Sequence, residues 1–484
     1  MSKISIDWRP DRSSSVPVYK QIIDYMSMKI STGDWAVGSR LPAQRQLAKQ
    51  FNVNRSTIVT AMDELSSYGV LESDFGKGTY VASNTWSLMM TDAPPDWSRY
   101  IQSGSFHASD PIIQECRRCE ADPRFISLGT GQLSPSLFPR EEMSRAMERV
   151  AGKLSALNYQ EPLGLPALRR SVARRLQRDG IDISPSCILI TSGALQALQL
   201  ICLTMLKSGS TVFTGDPSYL KSLQFFQSAG MNLSGLPMDQ EGLVYWQIDP
   251  ERIQREEALL YAIPDFHNPT GTVMSADRRK ALFRFCQQNH LPIIEDASYR
   301  ELWYDEKPPA TLKSMDKNGM VLHIGTVSKT LAPGLRTGWI AGPESVIHRL
   351  ADMKMQMDSG ASTVSQLILA EFFSSGAYDK YLPQLRVQLK SRRDTVVAAL
   401  ERNFSQIASW DAPAGGFYVW LRFDENLSAR QLFRAAVREH ILLFPGTLYE
   451  YGKSCSLRIS YAYAEEREIL YALARLSRIV RSMM

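Results

Sequence analysis

A lysine among small and hydroxyl residues is the first candidate for chemistry in this sequence of 484 residues. Lys329 lies in the segment GTVSKTLAPGLRTGWI, residues 325–340, followed by a Pro-Gly pair and, seven positions on, by Arg336. A lysine amine that loses its proton readily attacks carbonyl groups and forms a Schiff base. The segment therefore predicts a loop that presents a reactive amine, with a basic residue close by.

Two further segments carry polar side chains suited to a pyridine ring. In IIEDASY, Asp296 ends an apolar run and Tyr299 follows three residues later, and PDFHNPTG sets Asn268 in a turn. A buried carboxylate keeps a pyridinium nitrogen protonated, and an amide can hydrogen-bond the ring oxygen. Together with the lysine, these groups predict a site for pyridoxal 5'-phosphate.

Candidate donors for the phosphate group come from two other places in the chain. ITSGALQAL has the pattern of a strand, a small-residue turn and a helix start at Gly193 and Ala194, where free N–H groups and the helix dipole attract an anion. Tyr219, in GDPSY, is the candidate for stacking on the ring. The donors that flank the lysine are Thr326, Ser328 and Arg336.

In this order and spacing, the motifs resemble the fold-type I pyridoxal phosphate enzymes of the aspartate aminotransferase superfamily. The resemblance extends to NYQEPLGLPALRRSVARRL, to GGFYVWL and to LRISYA. It implies that Lys329 is the Schiff-base lysine and that Tyr159 reaches the phosphate of the partner subunit. It also implies that Arg458 clamps an α-carboxylate through two hydrogen bonds.

Short apolar runs supply the elements that must position these side chains. CILITSG, TVFTG, ALLYAIP, PIIEDAS and VLHIGTVS each stop at small or polar residues, and amphipathic stretches separate them. This alternation is typical of an α/β domain with buried parallel strands, whose carboxyl ends carry the chemistry. We expect such a domain over residues 125–484, and the resemblance adds a smaller C-terminal α+β part to the large, mostly parallel sheet.

The beginning of the chain has a different pattern, with dense helical periodicity. Val18, Ile22, Met26 and Ile30 repeat every four residues and predict one apolar helix face. Two more helices, in PAQRQLAKQF and RSTIVTAMDELSSYG, are separated only by the short turn NVN. This layout predicts a helix-turn-helix, whose second helix enters the major groove of DNA.

A basic hairpin follows the three predicted helices, in LESDFGKGTYVAS. Residues 35–62 contain basic residues but no acidic residue, so positive charge is concentrated on the predicted helix-turn-helix. The segment LPAQRQLAKQFNVNRSTIVTAMDELSSYGVLESDFGKGTYV resembles the winged-helix domain of the GntR regulator family. By that resemblance, the DNA contacts are Arg40, Arg45, Arg55, Ser56, Thr57 and Lys77. We assign residues 15–83 to this domain and residues 84–124 to an irregular linker.

A winged helix joined through a long linker to an aminotransferase-like domain resembles the MocR subgroup of GntR regulators. The resemblance implies a homodimeric bacterial transcription factor that binds double-stranded DNA and senses an amino acid, an amine or the cofactor itself. Many members of the subgroup lack the asparagine of the NPTG turn, whereas this chain keeps Asn268 together with Asp296, Tyr299 and Arg458. The alternative is therefore an active aminotransferase with an accessory DNA-binding domain.

Composition and cysteine usage limit the other possibilities. A net charge of +5 allows a polyanionic partner without requiring one. Neither a signal peptide nor an apolar run of membrane-spanning length is visible, and six scattered cysteines are typical of reduced thiols in the cytoplasm. Cys116 and Cys119 leave redox sensing open as a minor alternative, but a structural zinc requires four ligands and we expect no metal.

Overall fold

The computed structural model describes residues 4, 6–74, 78–83, 100, 101, 103, 104, 109–423, 427–452 and 455–484. The chain divides into an N-terminal unit, residues 1–107, and a C-terminal unit, residues 108–484. One hydrophobic core lies wholly in the N-terminal unit, and the other cores lie wholly in the C-terminal unit. No helix among these described residues is long and apolar enough to cross a membrane.

Within the described residues 6–74 and 78–83, the N-terminal unit consists of three helices and a hairpin. The helices are Val18–Ser31, Gln44–Phe51 and Arg55–Ser67, and the strands are β1 (Leu71–Asp74) and β2 (Gly78–Val81). β1 and β2 pair antiparallel, as predicted for a wing, and the residues that join them, 75–77, lie outside the described part. The first helix buries most of its predicted apolar face, namely Ile22, Met26 and Ile30.

A short turn sets the angle between the second and third helices. Asn52 ends the second helix in the left-handed conformation, with φ of 57°, and Asn54 precedes the first residue of the third helix. Asparagine tolerates this conformation better than most residues. Phe51 and Ile58, on either side of the turn, are fully buried in the same core, so packing fixes the two helices against each other.

A helix interrupts the region predicted to be an irregular linker. Helix Pro111–Glu120, called the pocket helix below, is capped by Asp110, whose side chain accepts a hydrogen bond from the Ile112 N–H at 2.7 Å. Its apolar residues recur at helical spacing and are buried in the core of the C-terminal unit: Ile112, Cys116 and Cys119. The expectation of irregular structure through residue 124 is therefore wrong for this stretch, because its amphipathic pattern is satisfied by packing.

An eight-stranded sheet with the order β4-β11-β10-β9-β8-β5-β6-β7 is the centre of the C-terminal unit. β6, β5, β8, β9 and β10 run parallel, and β11 runs antiparallel to both β4 and β10. All five predicted strands are present, which confirms the mostly parallel α/β fold. The strands are β4 (Ile188–Thr191), β5 (Thr211–Asp216), β6 (Asn232–Asp239), β7 (Gly242–Leu243), β8 (Ala258–Ala262), β9 (Ile293–Asp296), β10 (Val321–Thr326) and β11 (Gly338–Ala341).

A smaller antiparallel sheet with the order β12-β13-β16-β15 completes the unit, and β14 pairs in parallel with β3. These strands are β3 (Ile126–Ser127), β12 (Ala408–Ser409), β13 (Tyr418–Phe423), β14 (Ile441–Leu442), β15 (Phe444–Pro445) and β16 (Ser456–Ser460). The remaining α-helices are Arg140–Ala151, Pro166–Arg178, Ala194–Met205, Phe225–Ser228, Pro250–Arg255, Ala276–Gln288, Leu312–Met315, Glu344–Met357, Thr363–Ser374, Ala377–Phe404, Ala429–Arg438 and Glu466–Arg481.

Candidate functional site

A cavity of about 260 Å³ lies beside the carboxyl ends of the parallel strands. Four of the predicted site residues line it together: Tyr219, Asn268, Lys329 and Arg458. Each of the first three follows a different strand of the large sheet, whereas Arg458 belongs to β16 of the smaller sheet. Both sheets of the C-terminal unit therefore contribute to this cavity.

Lys329 follows β10 and extends into the cavity. Its Nζ donates a hydrogen bond to the Gly131 carbonyl at 2.8 Å and lies 5.9 Å from the centre of the Tyr299 ring. A Cβ at position 131 would lie 2.6 Å from the Tyr418 hydroxyl and 3.2 Å from Nζ. Glycine at this position therefore leaves open the space around the amine.

Asp296 ends β9 as a buried carboxylate with three hydrogen bonds. The Tyr261 hydroxyl donates to one oxygen at 2.7 Å, and the Ser298 backbone N–H and hydroxyl donate to the other at 3.0 and 2.5 Å. Burial and the adjacent Asp296 charge raise the pKa of Tyr261 well above its usual value, so this phenol keeps its proton and acts as a donor. The carboxylate is held in one orientation.

A chain of hydrogen bonds connects the remaining polar groups of the cavity. The Asn268 amide donates to the Tyr299 hydroxyl at 3.3 Å, and that hydroxyl is 3.1 Å from the hydroxyl of Tyr418. The Tyr219 backbone N–H donates to the Asn268 carbonyl at 3.1 Å. Burial, followed by the charge of Asp296, raises the pKa of Tyr219 to about 12, so its phenol is neutral at physiological pH.

Arg458 is a buried cation whose hydrogen-bond partners are neutral. Its two terminal nitrogens donate to the Asn268 side-chain oxygen at 2.9 Å and to the Gly129 carbonyl at 2.6 Å, and its Nε has no partner. Among the described residues, no carboxylate lies within ion-pair distance of it. The guanidinium lies 4.2–5.0 Å from the centres of three aromatic rings, those of Tyr418, Phe444 and Tyr449.

The hydroxyl of Tyr418 lies in the field of two cations. Burial by itself opposes ionisation of this phenol, but the positive charges of Arg458 and Lys329 outweigh that effect and lower its pKa. The phenol that bonds to it, Tyr299, has a pKa raised well above the usual value by burial. The two hydroxyls therefore differ in acidity although they are hydrogen-bonded to each other.

A second group of predicted residues surrounds the start of helix Ala194–Met205. Gly193 caps this helix with φ of +85°, and a Cβ there would lie 2.7 Å from the Arg336 guanidinium. Arg336 also donates to the Ser192 carbonyl at 2.8 Å. The Thr326 hydroxyl bonds the hydroxyl of Ser328 at 2.9 Å. This group, with Ala194 as the first helical residue, concentrates N–H, hydroxyl and guanidinium donors beside Lys329.

Tyr159 lies on the surface of the C-terminal unit. Its side chain is 83% exposed, and it does not line the cavity of its own chain. Its contact with the phosphate of a partner subunit stays a prediction.

The predicted DNA contacts lie on the surface of the N-terminal unit. Arg40, Arg45, Arg55 and Ser56 are exposed and Thr57 is half-buried. Arg55 begins the third helix, and its guanidinium donates to Gln44, the first residue of the second helix, at 3.1 Å. The sixth predicted contact, Lys77, lies outside the described residues.

In comparisons with known proteins, each of the two units matches a protein family. Residues 18–81 match the model of the bacterial regulatory proteins of the gntR family, and residues 123–476 match aminotransferase class I and II. The chain is 47% identical to the HTH-type transcriptional regulator YisV of Bacillus subtilis, over 99% of both chains. This chain belongs to the MocR-type HTH transcriptional regulators of the GntR family.

More distant matches agree with this family. The regulator is 33% identical to the HTH-type transcriptional regulator NorG of Staphylococcus aureus, over 92% of this chain and all of NorG. Among solved structures, it resembles the multiple substrate aminotransferase of Thermococcus profundus with a TM-score of 0.75 and 27% identity, over 81% of this chain and 99% of that one. The N-terminal unit of the regulator is thus a DNA-binding domain, and its C-terminal unit has an aminotransferase fold.

Sequence reasoning missed several residues that line the cavity or hold the side chains around it. Tyr418 lies in the motif GGFYVWL, which was recognised without a role for its tyrosine, and Tyr261 and Ser298 hold Asp296. The pocket helix forms one wall of the cavity through Ile113, Cys116, Arg117 and Glu120. Its sequence, DPIIQECRRCE, did carry a signal, because an Asp-Pro start precedes apolar residues at helical spacing.

The two linker cysteines are buried thiols of the pocket helix. Burial raises the pKa of Cys116 to about 12 and also raises that of Cys119. A thiol that keeps its proton at neutral pH is a poor nucleophile, so the structure gives no support to redox sensing here. Within the described part of the chain, no group of three or more metal-ligating side chains is found.

His267, next to Asn268, makes the stability of the site depend on pH. Burial lowers the pKa of His267 to about 3, from about 6.5 in an unfolded chain. The unfolded chain then binds a proton that the folded chain does not, so stability falls as the pH drops below about 6.5. From pH 7 to pH 5 we expect this histidine to reduce the unfolding free energy by about 2 kcal/mol.

Chemical denaturation of His267→Gln at several pH values tests this expectation. The variant should lose less stability than the wild-type protein on acidification, whereas His348→Gln, at an exposed position, should follow the wild-type curve. If the unfolding free energies of His267→Gln and the wild type fell equally with decreasing pH, the buried, neutral state of His267 would be contradicted.

Proposed function

We propose that this regulator binds pyridoxal 5'-phosphate in the cavity and changes its DNA binding when the site captures an α-amino acid. The observation that carries the proposal is Arg458, a buried cation without a counter-charge in the same cavity as Lys329. A buried charge without an ionic partner is costly, by several kcal/mol after relaxation. An entering carboxylate removes that cost, so the site favours amino acids over simple amines.

The residues present fit pyridoxal phosphate. The Nζ of Lys329 would hold its aldehyde, Asp296 its pyridine nitrogen, Asn268 and Tyr299 its ring oxygen, and Tyr219 the face of its ring. Gly193, Ala194, Thr326, Ser328 and Arg336 supply the type of donors that a phosphate requires. The open space at Gly131 supports this fit, because any larger residue there would contact both Lys329 and Tyr418.

When bound, the cofactor supplies an electron sink that activates an amine substrate. The chain itself orients the reactants. Arg458 binds the carboxylate, and the aromatic rings around it exclude water. Asp296 keeps its orientation through Tyr261 and Ser298. The Tyr418 hydroxyl, hydrogen-bonded to Tyr299, lies between Arg458 and Lys329, whose charges lower its pKa.

A homodimer is part of this proposal. The exposed Tyr159 would complete the phosphate site of the partner subunit, and two N-terminal units would read two half-sites of an operator. The amino acid can change the free energy of DNA binding only by the difference between its own affinities for the DNA-binding and the non-binding arrangement. Such a difference is typically about 1–3 kcal/mol.

A second function, transamination, is favoured by the completeness of the site. Asn268, Asp296, Tyr299 and Arg458 are all present, and the fold is that of solved aminotransferases. We propose amino-group transfer as a side activity of a regulator, since a purely metabolic aminotransferase has no use for a DNA-binding domain.

The visible absorption spectrum of the purified protein tests both functions. We expect a cofactor band that is lost or altered in Lys329→Ala and unchanged in Lys280→Ala, a control on an exposed helix position. An amino acid that shifts the band and also changes operator affinity supports sensing. Bleaching that a keto acid reverses supports transamination, and the absence of any band after added cofactor would overturn the proposal.

Gly193→Ala should weaken cofactor binding, in addition to the loss of stability that a positive φ imposes on any alanine. The three atoms nearest to the added Cβ belong to the flexible end of Arg336, which can move, and this movement removes a phosphate donor. We expect about tenfold weaker affinity for pyridoxal phosphate, in line with the loss of one charge-assisted hydrogen bond. Gly209→Ala is the matched control, since Gly209 shares a positive φ but has open space around it.

The salt dependence of DNA binding tests the predicted DNA contacts of the N-terminal unit. Arg45→Ala and Arg55→Ala should each lower operator affinity, and a lost phosphate contact should reduce the slope of log K against log salt by about 1. Arg402→Ala, at an exposed position of helix Ala377–Phe404, should change neither quantity. Unchanged affinity and slope in both arginine variants would contradict this DNA-binding surface.

A further inference from the structure

The stretch that precedes the first helix is packed against the helices of the N-terminal unit. In this stretch, residues 6–17, called the arm below, Trp8 stacks on the ring of Tyr25 with ring centroids 4.9 Å apart. The Trp8 ring also packs edge-on against Phe51 at 6.2 Å. Because Phe51 ends the second helix and is fully buried, the arm is anchored to the core of the helix-turn-helix.

The side chain of Gln21, on the first helix, holds the arm through three hydrogen bonds. Its oxygen accepts from the Asp11 N–H at 2.9 Å, and its nitrogen donates to the carbonyls of Asp11 and Val16 at 2.9 and 2.7 Å. Nearer the start of the arm, the Asp7 carboxylate accepts a hydrogen bond from a tyrosine of the first helix at 2.5 Å. These contacts fix the arm on both sides of Arg12.

Arg12 reaches from the arm to the turn between the second and third helices. Its guanidinium donates to the carbonyl of Asn52, in that turn, at 2.8 Å. Asn52 lies three residues before Arg55, where the third helix begins. No side-chain hydrogen bond from Asn54 caps this helix, so N–H groups of its first turn remain available to an anion. Arg12 therefore places a positive charge close to a helix start that favours phosphate.

The arginines of the arm are not neutralised by its acidic residues. Both side chains are exposed, and among the residues that the structure describes neither Arg9 nor Arg12 forms an ion pair. Asp11 accepts hydrogen bonds from the N–H and hydroxyl of Ser13, and Asp7 is engaged by the first helix. A guanidinium has five N–H donors and the bond to the turn uses one of them, so Arg12 keeps donors for a phosphate group.

We propose that Arg12 binds a backbone phosphate of the DNA beside the third helix, so that the arm extends the DNA-binding surface beyond the helix-turn-helix and the hairpin. The Asn52 carbonyl orients the guanidinium, whose fork of N–H donors matches two phosphate oxygens. Such a contact positions the duplex but does not distinguish bases. Arg12 therefore contributes the same factor to the affinity for the operator and for any other duplex.

The variant Arg12→Gln, made in the full-length protein, tests this inference on two duplexes of equal length. One duplex is selected from a random-sequence pool by its binding to the wild-type protein, and the other is unselected. We expect the affinity for both to fall by a similar factor, about tenfold at low salt, in line with the loss of one charge-assisted hydrogen bond. The slope of log K against log salt should decrease in magnitude by about 1 for each Arg12 that contacts the duplex.

Arg12→Lys separates a phosphate contact from a purely structural role at the turn. Lysine keeps the positive charge, so the salt slope should stay that of the wild type and most of the affinity should be retained. If Arg12 served only to hold the arm on the turn, Arg12→Gln would lower the midpoint of thermal unfolding and leave the salt slope unchanged. An unchanged salt slope in Arg12→Gln overturns the inference.

Arg9→Gln is the matched control, because it removes a charge from the same arm at an exposed position that forms no hydrogen bond with the turn. Its affinity should stay within about twofold of the wild type, with the same salt slope. Equal losses in Arg9→Gln and Arg12→Gln would indicate a diffuse effect of charge and overturn the specific contact. If Arg55→Ala also keeps its affinity and salt slope, the predicted DNA-binding surface fails as a whole, which is a distinct result.

Discussion

Everything at the cavity depends on the direction of the strands in the large sheet. Parallel strands bring their carboxyl ends to one edge, so residues far apart in sequence meet there. Asn268 follows β8, Asp296 ends β9 and Lys329 follows β10, with Gly193 after β4. The antiparallel β11 lies between β4 and β10, and a Cβ on its first residue, Gly338, would lie 2.8 Å from the Gly193 carbonyl carbon, so a side chain would not fit there. This close packing brings the helix start next to the lysine loop.

The site that these strands form contains few charged groups and many neutral hydrogen-bond donors. Buried phenols surround Asp296 and Arg458, and most of them have a raised pKa, so they can hydrogen-bond without adding charge. In a medium of low polarity each remaining charge has a strong effect. The Asp296 carboxylate and the Arg458 guanidinium do not pair with each other, so each is available for a different part of a bound molecule.

Much of the fold and part of the site could be predicted because the relevant patterns are local. Each predicted strand is an apolar run that ends at a small or polar residue, and Lys329, Asp296 and Asn268 stand directly after such runs. The meeting of Tyr299 with Tyr418, 119 residues apart, depends on how the two sheets pack, which no local pattern records. The pocket helix differs from the prediction for another reason: its local helical signal follows a long irregular stretch, which favours a domain boundary beyond it.

Separate hydrophobic cores allow the two units to evolve at different rates. A substitution near Ile58 affects the packing of the N-terminal unit, and one near Leu189 affects only the C-terminal unit. Because a domain is stabilised by only about 5–15 kcal/mol, this separation confines the damage of each mutation to one unit. A lineage can therefore acquire a new operator while it keeps its ligand, or the reverse. The pocket helix belongs to a core and to the cavity wall at once, so a substitution in it can alter both packing and ligand binding.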